Sequence, residues 1–259
     1  MAHLIPSFTV FLLIFVRVSA FFVTMPLFSY RTIPAFYRIG FAFFLAWLMY
    51  YSLDVHGFEI DGKYFMLLIK EAIVGLFIGF VAYLILAAIQ IAGGFIDFQM
   101  GFAIANVIDP QTGTQSPLMG QYLYSFALLL LLALNGHHII LDGIFFSYQF
   151  IPIDQAIFPF GDASVVDFIL HTFSKMFVIA FQMSIPVVAT IFLVDVALGI
   201  IARTVPQLNI FVVGFPVKIA VSFIVLLIVM GVIFSVCQHL FETMFYALRD
   251  VMKLVGGVK

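Results

Sequence analysis

Long apolar stretches dominate this sequence and restrict what it can fold into. A helix that crosses the roughly 30 Å hydrocarbon core of a bilayer needs roughly 20 apolar residues. Inside lipid, only helices and closed barrels satisfy their own backbone hydrogen bonds, and runs of this length favour helices. We therefore predict an all-α integral membrane protein with about six long, partly broken hydrophobic helices that pair as hairpins. The stretches cover about residues 5–28, 39–53, 64–92, 118–151, 165–202 and 210–248.

The composition excludes several classes of function. The 259 residues are 64% apolar and 9% charged, whereas soluble domains are about 45–50% apolar and ~25% charged. A net charge of -2 and scattered basic residues leave no patch that could follow phosphates, so nucleic-acid binding is excluded. The sequence contains neither a nucleotide-binding loop nor a hydrolase motif, and Cys237 is its single cysteine. We expect no enzyme activity and no cofactor.

Glycines and prolines mark expected breaks in the helices. Proline removes a backbone donor and clashes with the preceding turn, and glycine favours helix ends. We predict that the third helix ends or kinks at Gly93-Gly94 and that the fourth stretch splits at Asn135-Gly136. Pro186 and Pro216 are expected to interrupt the fifth and sixth stretches and to leave half-helices.

The third stretch also contains a GxxxG pair, Gly75 and Gly79. Small residues at this spacing let two helices approach closely in a membrane. The pattern is common in membrane helices, so we predict a packing role for it and nothing more.

Charged residues lie in or beside apolar stretches, where a charge at the bilayer centre costs about 2.5–3.5 kcal/mol on insertion scales. They are expected to point into a bundle, a wet cavity or another subunit. A transport path and structural pairing between helices are both consistent with them. Arg203 shares a helix face with Asp195, and loss of a charge there is expected to impair assembly. The residues of this group within the stretches are Arg17, Lys70, Glu71, Lys175, Asp195 and Lys218.

A second polar group lies at the predicted break in the fourth stretch, in NGHHIILDG. His137, His138 and Asp142 suggest metal ligands by residue type. A catalytic zinc site normally has three protein ligands with further hydrogen-bonding support, and no second ligand motif accompanies these residues. We therefore predict no metal, and we interpret the group as buried polar residues where Gly136 disrupts the helix.

The segment that follows the third stretch starts apolar and becomes polar and rich in turn residues. Irregular backbone at membrane depth is tolerated only where protein buries it or a water-filled cavity receives it. The apolar residues in this segment suit a pore better than a solvated loop. Its sequence from residue 101 to residue 121 is GFAIANVIDPQTGTQSPLMGQ.

This segment and the NGHH motif together resemble the FliR family, flagellar biosynthetic proteins of the bacterial type III export apparatus. The similarity extends to RVSAFFVTMPLF near the N-terminus and to ARTVPQLNIFVVGFPVK in the second half. The resemblance implies an export-gate subunit of the inner membrane at the flagellar basal body, assembled into a hetero-oligomeric helical ring. Implied partners are FliP-like and FliQ-like subunits, with contact to FlhB-like and FlhA-like components and unfolded flagellar proteins as substrates.

The resemblance also implies a division of the chain and a role for the segment. Residues from about 1 to 160, including a pore loop at 101–117, would be FliP-like, and residues from about 161 to 259 would be FliQ-like. The loop would obstruct the pore, where apolar side chains exclude water and an arriving unfolded chain displaces them. The residues assigned to this plug are Gly101, Phe102, Ile104, Asn106, Val107, Ile108, Asp109, Pro110, Gln111, Thr112, Gly113, Thr114 and Gln115.

Three alternatives remain open from the sequence. The loop could merely hold subunits together. Broken helices and intramembrane charges also suit a polytopic secondary transporter, although no inverted repeat is evident. The equivalent subunit of a virulence-type secretion system shares ancestry with the flagellar family.

Overall fold

The structure is a computed structural model that describes residues 8–29, 33–53, 57–102, 117–155, 163–207 and 209–257. Within these ranges the chain forms seven helices and no strand, which confirms the predicted all-α fold. The helices are α1 (Phe8–Thr24), α2 (Ala35–Ser52), α3 (Gly62–Met100), α4 (Leu118–Ala133), α5 (Gly136–Phe150), α6 (Ala163–Thr204) and α7 (Ile210–Gly256).

Three of these helices, α3, α6 and α7, are long and apolar enough to cross a membrane. A fourth candidate span exists if α4 and α5 are counted together as one broken span. The ranges described by the structure thus contain fewer candidate spans than the sequence has apolar stretches. One reason is length, because α1 has only 17 residues. The chain is a multi-pass membrane protein of helices.

Of the four predicted breaks, the one at Asn135-Gly136 is confirmed, and no helix ends at the other three. Pro186 lies inside α6 and Pro216 inside α7, and neither helix is interrupted. A proline removes one hydrogen bond, whereas ending a helix in an apolar medium would leave several backbone groups unsatisfied. Likewise α3 does not end at Gly93-Gly94 and continues to Met100. The break at Asn135-Gly136 is present, since α4 ends at Ala133 and α5 begins at Gly136.

Asn135 makes this break because its backbone is left-handed, with φ of 56°. Asparagine and glycine adopt this conformation readily, and β-branched residues do so only with strain. We expect Asn135→Gly to leave thermal stability nearly unchanged and Asn135→Val to lower it by roughly 1–3 kcal/mol. Thermal unfolding of the purified protein in detergent would measure both variants. Equal stability of the two would contradict this account of the break.

The chain divides into two compact units. The first comprises residues 1–85, 135–173 and 242–259, and the second comprises residues 86–134 and 174–241. In the first unit, aromatic side chains join α1 to α2, with Phe11 against Phe43 and Trp47 at 5.0 and 6.1 Å between ring centroids. In the second unit, α3 and α4 approach so closely that a side chain at Gly93 would collide with the backbone of Gly120. The predicted FliP-like and FliQ-like parts concern resemblance to other subunits and stay a prediction.

The candidate spans differ in how far this chain covers them. Each of these helices contains an apolar window of 18 residues. In α3, 56% of that window is buried, whereas in α6 and in α7 the buried share is 17%. Large apolar side chains such as Phe181, Phe192 and Leu227 are exposed along α6 and α7. These two helices therefore present apolar surface outward, which lipid or another protein must cover.

Candidate functional site

The predicted plug begins at the end of α3. Gly101 and Phe102 are the two plug residues that the structure describes. The chain is described again from Pro117, one residue before α4 begins. The other plug residues lie outside the described residues; they are Ile104, Asn106, Val107, Ile108, Asp109, Pro110, Gln111, Thr112, Gly113, Thr114 and Gln115.

Gly101 ends α3 in a conformation that favours glycine. Its φ is +91°, and its N–H and that of Phe102 donate to the Asp97 carbonyl oxygen at 3.1 and 3.0 Å. Such a glycine at a helix C-terminus satisfies backbone carbonyls that the helix leaves unpaired. The Phe102 ring then packs edge-on against Phe215 of α7, 6.3 Å between centroids. The first residues of the plug thus have a fixed position in the second unit.

The carboxylate of Asp97 holds the other end of the same segment. Its two oxygens accept the Met119 N–H at 3.2 and 3.1 Å, although Met119 follows 22 residues later. The N-cap position of α4 is Pro117, which makes no side-chain hydrogen bond to the helix. Asp97 therefore supplies from α3 the acceptor that the first turn of α4 lacks, and its charge lies at the positive end of that helix.

A polar triad lies next to this position. Asp195 of α6 forms an ion pair with Lys218 of α7 and accepts a hydrogen bond from Gln99 Nε2 of α3 at 2.9 Å. The carboxylate of Asp195 is 33% exposed and the Lys218 amine 23% exposed. The predicted charges at 195 and 218 therefore meet, and Arg203, expected on the same face as Asp195, lies exposed further along α6.

A second charged cluster lies in the first unit. Glu71 accepts from Arg17 Nε at 2.5 Å and from Arg17 Nη2 at 2.9 Å, in a paired contact of guanidinium and carboxylate. Lys70 Nζ contacts the same carboxylate at 2.5 Å. The Arg17 and Glu71 side chains are fully buried and Lys70 is nearly so. Structural pairing thus accounts for these three charges.

The two cations of this cluster exceed its carboxylate by one charge, and α5 together with the residues directly after it supplies the remaining acceptors. Arg17 donates to Ser147 Oγ at 3.0 Å and to the Ile151 carbonyl at 2.9 Å. Lys70 donates to the carbonyls of Pro152 and Ile153 at 2.8 and 3.3 Å. The carbonyl end of a helix carries partial negative charge, so it suits the extra cation. The Tyr148 ring covers the guanidinium at 3.8 Å and adds a cation–π contact.

The remaining predicted polar residues are not brought together. The rings of the neighbouring residues His137 and His138 lie 4.1 Å apart between centroids and are tilted by 38°, while Asp142 and Lys175 are exposed. Among the described residues there is no group of three or more histidine, cysteine or acidic side chains able to hold a metal ion. Among the described residues, His138, Asp142, Lys175 and Arg203 are exposed, so their predicted burial is not seen there.

Several residues of these clusters were not predicted from the sequence. Asp97 and Gln99 stand out as polar residues in an apolar segment, but their spacing does not indicate what they bond. Ser147 and Tyr148 give no such signal, because both residues are ordinary within an apolar helix. Their roles depend on which helices become neighbours.

The fold and its clusters define a class: a multi-pass, all-helical membrane protein whose long helices α6 and α7 are only partly covered by the described part of the chain. A family profile described as "Bacterial export proteins, family 1" matches residues 8–244. The chain therefore belongs to this family of bacterial export proteins.

Individual relatives agree with this assignment. The chain is 58% identical to the flagellar biosynthetic protein FliR of Bacillus subtilis over 99% of both chains. It is 27% identical to the protein of that name in Escherichia coli over 91% of this chain and 90% of the relative. It is 32% identical to the Yop proteins translocation protein T of Yersinia pestis over 82% of both. The resemblance to the FliR family predicted from the sequence is confirmed.

Proposed function

We propose that this chain is a subunit of the flagellar type III export gate, where it helps to form and seal the channel for unfolded flagellar proteins. The observation that carries the proposal is the similarity to a flagellar biosynthetic protein over nearly the whole chain. The gate would lie in the bacterial inner membrane at the flagellar basal body. The chain acts in protein export and carries out no catalysis of its own.

The outer surface of α6 supports assembly with other membrane subunits. Lys175 is exposed among apolar side chains that include Phe177 and Val178. It lies 12 residues from the first residue of α6, or about 18 Å along the helix. An ammonium group facing hydrocarbon there is costly, whereas a polar group of a neighbouring protein would stabilise it. We propose FliP-like and FliQ-like subunits as these neighbours, with FlhB-like and FlhA-like components in contact with the assembly.

In the resting gate, residues 101–115 would obstruct the channel. The segment combines small residues with apolar ones, and hydrophobic constrictions exclude water and ions by dewetting. An arriving unfolded substrate would displace the segment, so the resting gate stays sealed without a high-affinity closure. The seal would re-form when the substrate has passed.

The flagellar assignment is favoured over the virulence-type subunit by similarity. Identity reaches 58% with a flagellar relative and 32% with the Yop protein. Membership in an export family also favours protein export over a secondary transporter. Mild-detergent purification followed by native mass measurement separates these functions: a gate subunit is recovered with several different small membrane proteins, and a transporter alone or as a homo-oligomer.

We expect shortening of the segment within Ile104 to Thr114 to raise ion leakage of cells several-fold, because less apolar chain remains to exclude water. The measurement is membrane conductance or ion-dependent growth, with the amount of assembled complex determined in parallel. A matched variant replaces the same residues with an equally long glycine and serine sequence. It should also leak, because length without apolar side chains does not seal a pore.

Normal assembly without leakage in both variants would overturn the plug role. If the segment instead holds subunits together, both variants would lose the complex. That outcome would identify a tether.

A further inference from the structure

The two ends of the plug segment are held by one residue. The backbone carbonyl of Asp97 receives the chain where α3 ends, at Gly101 and Phe102. Its carboxylate receives the chain where α4 begins, at the Met119 N–H. A residue that bonds to both ends of a segment fixes the distance between them.

The surroundings of Asp97 make this connection rigid. Asp97 is only 2% exposed, so water does not replace the Met119 hydrogen bond when it is lost. Gly93 lies one helical turn before Asp97 and faces the backbone of Gly120 with no room for a side chain. The backbones of α3 and α4 are therefore in direct contact beside the bonded carboxylate.

Further contacts tie the end of α3 to α6 and α7. Gln99 donates to Asp195, which pairs with Lys218, and Phe102 packs on Phe215 three residues before Lys218. A polar contact and an aromatic contact thus act on the last turn of α3. Movement of that turn would break the hydrogen bond from Gln99 to Asp195 and would separate the Phe102 ring from Phe215.

We infer that Asp97 is a positioning residue for the plug: together with the Gln99–Asp195–Lys218 triad it fixes the end of α3 and the start of α4, the two helix ends between which the plug segment lies. This inference rests on the proposed plug function only for its consequence, and the fixed ends can be tested separately. If the plug seals the channel, residues outside the plug sequence contribute to the seal.

Spin labels at positions 98 and 122 measure the fixed ends directly in the assembled complex. Phe98 and Tyr122 are exposed on α3 and α4, so labels there disturb few contacts. We expect a narrow distance distribution with Asp97 present. Asp97→Leu should broaden it, because leucine offers no acceptor to the Met119 N–H. Asp97→Asn should keep it narrow, because the amide oxygen still accepts this bond.

Ion leakage of cells that carry the same variants tests the consequence for the plug. Asp97→Leu should leak as the shortened segment does, although residues 103–116 are intact, and Asp97→Asn should remain sealed. Asp167→Leu is the control, because that carboxylate is 72% exposed on α6. If Asp97→Leu prevents assembly, Gln99→Leu removes one contact of the triad and should give a smaller broadening.

The outcomes separate the two proposals. An unchanged distance distribution in both Asp97→Leu and Gln99→Leu overturns the positioning role, whatever the shortened segment does. A broadened distribution without leakage in any variant, the shortened one included, supports the positioning role and overturns the plug function. Broadening with leakage supports both.

Discussion

Replacing Glu71 with alanine is expected to remove most of the folded protein from the membrane. The substitution leaves the guanidinium of Arg17 and the amine of Lys70 buried side by side without the carboxylate between them. Breaking a buried ion pair by removing one partner costs about 3–5 kcal/mol. Marginal stability of about 5–15 kcal/mol leaves little margin for such a loss. The amount of protein in the membrane and its unfolding temperature in detergent measure the effect.

A matched control and a rescue make this prediction specific. Glu59→Ala removes an exposed carboxylate near the start of α3 and should leave stability within about 0.5 kcal/mol. A triple variant, Arg17→Met, Lys70→Met and Glu71→Leu, replaces the cluster with apolar side chains and should recover part of the loss, since apolar replacements of buried ion pairs are often tolerated. Wild-type stability of Glu71→Ala would show that the cluster contributes little.

The substitution Gly75→Ala is expected to cause the second-largest loss of stability. A side chain there would collide with the Arg17 carbonyl and lie 3.0 Å from both Ala20 Cβ and Phe21 N. Backbone atoms of α1 cannot move aside as a flexible side chain would, so α1 and α3 must separate. Overpacking of this kind costs about 1–3 kcal/mol for alanine and more for valine. Separation would also lengthen the contact between Arg17 and Glu71, so the two effects are coupled.

Gly143→Ala is the control for this substitution. Gly143 lies inside α5 with no atom within 4 Å of an added side chain. Alanine there should stabilise the protein by up to about 1 kcal/mol through helix propensity. The unfolding temperatures of the two variants, each purified in the same detergent, compare a glycine that packs against another helix with one that does not. Equal behaviour of Gly75→Ala and Gly143→Ala would contradict close packing of α1 on α3.

The GxxxG pattern shows how a sequence can predict an interface without its partner. Gly75 and Gly79 indicated close helix approach, and both lie against α1, Gly79 beside Phe21 and Thr24. Two glycines one helical turn apart leave a surface without side chains, whichever helix packs against it. Which helix occupies the space follows only from the arrangement of the chain.

The prediction from the prolines was wrong, because a proline disrupts only the hydrogen bonding of its own turn. Pro186 and Pro216 were expected to end helices, yet α6 and α7 run through them. A single lost hydrogen bond is smaller than the cost of exposing several unpaired groups to an apolar environment. The surroundings of a helix, and not the proline alone, therefore decide whether it is interrupted.

The class of this protein and its family follow from the amino-acid sequence alone. Apolar stretches of membrane length require helices because no other continuous segment satisfies its backbone in lipid. The charges in those stretches required partners for the same reason. The motifs around residues 101–121 and 135–138 identified the export family, which the match over residues 8–244 confirms.

The partners of those charges, in contrast, follow from the packing of the helices. Arg17 and Glu71 are 54 positions apart, and Asp97 bonds to a residue 22 positions later. Periodicity along one helix cannot specify such pairs, because they depend on which helices are adjacent and on their register. Burial then makes each pair costly to break, since neither water nor lipid can take the place of the missing partner.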